Sequence, residues 1–180
     1  MKWKVALALL VLLALASATA KATTVIPMSV EELTHAAKAI VEATATSSWS
    51  QWNPQHTMIV TYTRFTVSKT LKGSVPAEIV VKQPGGIVGN QGQKVPGVRQ
   101  FLAGENVLLY LQPSGDNDGT HVVTGLVQGN FRIYKTAAGV TAVTNGMPGV
   151  SRLRAGGFSE YHGTSMRLDE MESRVQRALR

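Results

Sequence analysis

The sequence predicts a mainly-β domain, a small barrel with a short helix before it and an amphipathic helix after it. Three observations carry this. Period-two apolar alternation recurs in segments separated by glycine- and proline-bearing breaks. Helical spacing occurs only near Ser29 and at the C-terminal end. One segment, Thr57–Leu71, is long enough to bend round a barrel wall.

In chain order, Met1-Lys2-Trp3-Lys4 is followed by an apolar run from Val5 to Ala16 and by Ser17-Ala18-Thr19-Ala20. A basic start, a short apolar stretch and a small-x-small ending are the parts of a secretory signal peptide. Residues 1–20 are therefore expected to be cleaved, after Ala20 or else after Ala22. The destination is the periplasm or the exterior. The run is shorter than the roughly 20 residues of a membrane span, and no second stretch of that length follows.

Residues 21–28 read as an extended leader. Ser29-Val30-Glu31-Glu32 has the capping-box spacing that starts a helix. Met28 and Leu33 flank it, and Ile40–Thr46 then alternates as a strand. In Thr57–Leu71 the apolar residues change face. Met58, Val60 and Tyr62 share one side, and Phe65, Val67 and Leu71 the other. Strand side chains alternate strictly, so a bulge or bend is expected between Tyr62 and Phe65.

Glu78–Gln83 is the next strand. Val107–Leu111 is apolar on both faces and is expected to lie centrally. His121–Val127 and Asn130–Tyr134 read as a hairpin about Gln128-Gly129. Val140–Thr144 pairs back through Ala137-Ala138-Gly139. These elements place the barrel domain at 29–145. Residues 146–164 read as a glycine-rich loop. A helix over 165–180 places Leu168, Met171, Val175 and Leu179 on one face.

The 180-residue chain has no cysteine. Lipid attachment at a lipoprotein cysteine, disulfides and thiolate–metal sites are thereby excluded, and the fold must rest on burial and hydrogen bonds. It carries 18 Lys+Arg against 11 Asp+Glu, a net charge of +7. Without Lys2 and Lys4 the balance is 16 against 11. A basic exported chain suits an anionic envelope polymer or another exported protein as partner, whereas export argues against nucleic acid.

Motifs for chemistry are sparse. The segment Gln83–Arg99 holds five glycines, but Lys94 is followed by Val95, so it is no Walker loop, and G-x-G-x-x-G is absent. Long irregular segments in compact domains are often functional. Ile87, Val88, Val95 and Val98 are expected to pack it onto the barrel. Trp49 and Trp52 flank a turn with His56 close behind, a stacking surface or a plug for the barrel end. Together, Trp49, Trp52, His56, Pro84, Gly85, Gly86, Val88 and Gly89 form the candidate binding surface.

No catalytic, metal or cofactor residues are assigned. Glu32-x-x-His35 occurs once, and Glu32 is better used in the capping box. Gly115-Asp116-Asn117-Asp118-Gly119 lacks the glutamate of a calcium loop, because the twelfth position is Val127. It reads as a polar turn.

Ala39-Ile40-Val41-Glu42-Ala43, Phe65-Thr66-Val67 with Leu71-Lys72-Gly73, Gln83-Pro84-Gly85-Gly86, and Phe101-Leu102-Ala103-Gly104-Glu105 running into Val107–Leu111 form an ordered set. It resembles that of uncharacterised exported bacterial proteins. The layout is similar to the OB-type barrel of netrin-like modules, which include tissue inhibitors of metalloproteinases. The resemblance implies an OB-like barrel that binds through one face and its loops. Those inhibitors act through an N-terminal cysteine that this chain lacks. The function expected is an exported, non-enzymatic binding or interaction module. The alternatives are a cell-envelope hydrolase drawing on His56, His121 and Glu105, or an inhibitor or partner of an exported protease.

Overall fold

The computed structural model describes residues 23–146, 150–154, 157–160 and 162–180. The proposed signal peptide lies outside them. Strand β1 (Thr23–Val25) precedes helix α1 (Val30–Ala36). The capping box is formed: Ser29 Oγ accepts from Glu32 N at 3.1 Å, and Ser29 N donates to Glu32 Oε2 at 2.7 Å. At the other end of α1, Lys72 Nζ donates to the carbonyls of Thr34 and Ala37 at 2.6 and 2.7 Å. Those oxygens have no partner within the helix.

Five strands close the barrel: β2 (Ala39–Trp52), β3 (Ile59–Lys72), β4 (Glu78–Pro84), β7 (Asn106–Pro113) and β8 (His121–Val123). Neighbours run β7-β2-β3-β4-β8, and β8 pairs back onto β7. All pairings are antiparallel except β4 with β8, where Val81 faces His121. This is the mainly-β, OB-like barrel with a terminal helix that the sequence predicts. Between β4 and β7, the short strands β5 (Gly86–Val88) and β6 (Gln91–Gln93) form a hairpin.

β7 is apolar on both faces because it separates two cores. Val107, Leu109 and Leu111 point into the barrel with Val41, Phe65 and Val81. Leu108 and Tyr110 point outward into a second core with Leu33, Ile40, Phe131 and Met171. That outer layer is covered by α1 and by the C-terminal helix α2 (Leu168–Ala178). Tyr110 is fully buried there; its hydroxyl donates to Met171 Sδ at 3.3 Å. Burial pushes its pKa up to about 12.

The sheet continues from β7 through β9 (Asn130–Lys135), β10 (Thr141–Thr144) and β13 (Ser165–Arg167). β9 and β10 pair through the expected Ala137-Ala138-Gly139 turn.

Four expectations need correction. β3 does not change face between Tyr62 and Phe65: its register with β4 runs unbroken from Val60 to Thr66, and the slip opposite Arg64 and Phe65 puts the extra residue, Thr46, on β2. Ile59, Thr61, Thr63 and Phe65 form one continuous buried face. Threonines are admitted because Ser48 and Ser50 face them at 2.8 Å, hydroxyl to hydroxyl. The irregularities lie in the β2–β3 pairing, between Ile40 and Val41, Glu42 and Ala43, and Ala45 and Ser47.

Second, His121–Val123 and β9 are not a hairpin. Gly125 and Leu126, at φ of 67° and 58°, turn the chain away into a 3-10 turn over Leu126–Gly129. β8 then pairs with β7 and β4, and β9 with β7 and β10. Third, the segment read as a glycine-rich loop contains β11 (Val150–Arg154) and β12 (Gly157–Glu160), with β11 parallel to β1. Fourth, Ser165–Arg167 pairs with β10, which delays the terminal helix to Leu168.

Candidate binding groove

The outer face of β3 is the informative surface. Because Ile59, Thr61 and Thr63 face inward, Met58, Val60 and Tyr62 must face out, and each is half-buried. Cross-strand register extends them into rows. Trp49 of β2 lies opposite Tyr62, and Tyr62 opposite Lys82 of β4. Gln51 lies opposite Val60, and Val60 opposite Pro84. Val122 of β8 adds an apolar side chain at the far wall. The result is an open groove of about 570 Å³, within the size range of small-ligand sites.

Two tied turns bound it. In the turn over 53–58, Asn53 Oδ1 accepts from the backbone N–H groups of Thr57 and Met58 at 2.8 and 3.1 Å. Its amide nitrogen donates to Thr57 Oγ1 at 2.9 Å. Asparagine suits this role because its side chain imitates a backbone turn. His56 takes φ of 53° there and stacks on Trp52, ring centres 6.2 Å apart.

In the turn over 114–120, Asp118 Oδ1 accepts from Thr120 Oγ1 at 2.6 Å, Thr120 N at 2.9 Å and Ser114 Oγ at 3.1 Å. The Thr120 hydroxyl, then its amide, hold the Asp118 carboxyl far below the usual carboxylate range.

Charge in the groove centres on Lys82, whose side chain is 13% exposed. It pairs with Asp116 and, at 3.6 Å, with Asp118. The expected polar turn is thus also one wall of the groove. Among the described residues, no three histidine or acidic side chains cluster closely enough to hold a metal ion.

The surface expected from sequence is divided by the fold. Trp49 is 40% exposed and stacks on Tyr62, a groove residue, from the β2 side. Trp52 is three residues further on, so strand alternation sends it to the opposite face, level with buried Ile59. Pro84 lines the groove. Gly85 and Gly86 belong to the hairpin that covers the polar inner face. Thr61 Oγ1 donates to the Gly85 carbonyl at 2.6 Å, and a Cβ on Gly86 would lie 2.2 Å from that same hydroxyl oxygen. Val88 is half-buried in the hairpin and Gly89 turns it with nothing within 4 Å. Val98 packs as expected, whereas Ile87 is 72% exposed.

Of the dispersed hydrolase candidates, Glu105 and His121 sit at opposite ends of β7. Glu105 precedes Asn106, and His121 faces Pro113. At about 3.4 Å per residue that separates them by roughly 27 Å. Glu105 is engaged instead by Arg99, which also donates to Asn130 Oδ1 at 2.9 Å.

Sequence reasoning missed Met58, Val60, Tyr62 and Lys82 as site residues. The signal was the apolar stripe on the wrong face of β3. No family model and no curated protein matches this chain. No helix among the described residues is long and apolar enough to cross a membrane.

Proposed function

We propose that this chain is an exported, non-catalytic binding module that holds its ligand in the groove on the outer face of β3 and β4. The carrying observation is the half-buried stripe Met58, Val60, Tyr62, set between two turns that tie themselves down. Apolar side chains gathered on the outside of a closed barrel mark a contact surface more than a packing need. OB-type barrels bind through the face of their second and third strands and through the loops joining strands one to two and four to five. In this barrel those are β3, β4 and the turns over 53–58 and 114–120. Turns already ordered lower the entropic cost of binding.

Export rests on residues 1–20 alone. Fractionation of cells producing the chain, with the N-terminus of the released product sequenced, tests it. A product that keeps Met1 and stays in the cytoplasm removes that part of the reading.

The groove is tested by binding from envelope extract. Val60→Lys places a charge on the groove floor, and Ile87→Lys places one on the β5–β6 hairpin. The proposal expects a saturable ligand retained by the wild type and by Ile87→Lys and lost in Val60→Lys. The opposite pattern moves the site to the glycine-rich hairpin.

A further inference from the structure

We infer that the groove takes a neutral, polyhydroxylated chain, a glycan; this rests on the groove being the binding face. Charge is the first argument. The groove holds one ammonium, Lys82, and two carboxylates, Asp116 and Asp118, each paired with it. It is therefore acidic by one charge, although the chain without Lys2 and Lys4 stays basic, 16 Lys+Arg against 11 Asp+Glu. An anionic polymer drawn to the basic surface meets Asp116, 64% exposed, and Asp118, 39% exposed, at the groove. A cation meets Lys82.

A hydroxyl group both donates and accepts. Neighbouring hydroxyls can accept from Lys82 and donate to Asp116 without breaking the pair. Both contacts are then charge-assisted, the stronger kind of hydrogen bond.

Shape is the second argument. The floor is apolar, from Met58, Val60, Pro84 and Val122, and Tyr62, backed by the stacked ring of Trp49, stands as an aromatic wall beside it. A sugar ring has the matching division, a C–H face and a polar hydroxyl edge. From Met58 to Tyr62 the strand advances about 13 Å, more than one ring, so a chain rather than a monosaccharide fills it.

Pairing is the third argument. Extended peptides take much of their affinity from the backbone of a free strand edge. β3 is hydrogen-bonded on both sides along this stretch, to β2 and to β4, so along the groove floor β3 offers a peptide side chains only.

The test is titration of the ¹⁵N-labelled full chain with cello-, malto- and chito-oligosaccharides, with heparin and random-sequence peptides as rival probes. Amide shifts over 53–62, 82–84 and 114–122 are followed, together with tryptophan fluorescence. At least one neutral series is expected to shift those amides saturably, more tightly as chain length grows. Tyr62→Ala and Asp116→Ala are each expected to weaken it about tenfold. Asp116 lies on an exposed turn and Asp118 still pairs with Lys82 without it, so its variant is expected to fold and stays informative should Tyr62→Ala fold poorly.

Groove shifts with heparin or peptides and with no neutral series overturn the glycan and leave the groove standing. Groove amides unmoved by every probe overturn both. Neutral-glycan binding unchanged in both variants overturns the inference as well.

Discussion

Trp49 and Tyr62 face each other across the β2–β3 pairing with ring centres 5.4 Å apart and planes 11° from parallel. Three residues along β3, Phe65 points the other way and meets Phe101 edge-on at 4.8 Å, fully buried. One strand thus carries an aromatic pair on each face, one at the groove and one in the core.

These pairs differ in their contribution to stability. Trp49→Ala removes a 40%-exposed ring and is expected to cost about 1–2 kcal/mol, mostly the stacking and partial burial. Phe65→Ala leaves a cavity in the barrel and is expected to cost about 3–5 kcal/mol. Urea denaturation of the two variants decides it. Equal losses would make Trp49 a core residue rather than an exposed backing for Tyr62.

Much of the fold was legible because local rules and global fold agree. The capping box at Ser29, the two-faced apolar run of β7 and the Gly139 turn each follow from residue type and spacing. The groove was half legible. Met58, Val60 and Tyr62 were visible as a stripe out of phase with Phe65, but large apolar residues suggested an inward face. The true inward residues, Thr61 and Thr63, are polar and were passed over. They are buried because Ser48 and Ser50 supply hydroxyl partners from 11 to 15 positions away, and no local pattern announces that. The hairpin misread at Gly129 has the same origin. β8 is completed by a parallel contact with β4, about 40 residues back, and long-range pairing leaves no short-range signal.

Gly129 tests the sheet switch. A Cβ there would lie 2.3 Å from the Thr124 carbonyl oxygen and 3.1 Å from Tyr110 Cβ. Backbone cannot yield as a side-chain tip can, so Gly129→Ala is expected to cost about 3 kcal/mol or more. Gly119 is the control. Its φ is +73° with nothing within 4 Å, so Gly119→Ala carries only the left-handed penalty, about 1–2 kcal/mol. Thermal denaturation in parallel should separate them. If the two lose the same amount, the close approach at Gly129 is relieved by movement.

Glu42 gives the chain a pH signature. Its carboxyl is pushed above the usual range, first by burial and then by Glu172 of α2, against the opposing pull of Lys69 on β3. An acid whose folded pKa is raised favours the fold while protonated. That contribution is complete below the unfolded pKa and is lost as pH rises through the folded one. Glu42→Gln removes the charge for good. It should raise the melting temperature by a few degrees at about pH 8 and leave it unchanged at about pH 3, where Glu42 is protonated in both states. Stabilisation of the same size at both pH values would mean the gain comes from packing.

Arg174 of α2 and Glu31 of α1 form an ion pair across the two helices, beside their shared apolar packing. Nε reaches Oε1 at 2.8 Å and Nη2 reaches Oε2 at 2.7 Å, a two-pronged pair. The Arg174 hydrogen bond holds the Glu31 carboxyl below its usual range. The sign is opposite to that of Glu42: the stabilisation is present above the unfolded pKa and disappears as pH falls through the folded one. Glu31 is 44% exposed and Arg174 29%, so solvent screens the pair. A double-mutant cycle with Glu31→Ala and Arg174→Ala is expected to give about 0.5–1 kcal/mol of coupling at neutral pH. In about 1 M salt the coupling should shrink, because the Debye length falls to about 3 Å. Arg174→Lys should lose most of it, since an ammonium cannot make the planar fork. Full coupling retained by lysine would show that charge alone joins the helices and that the two-pronged geometry adds nothing.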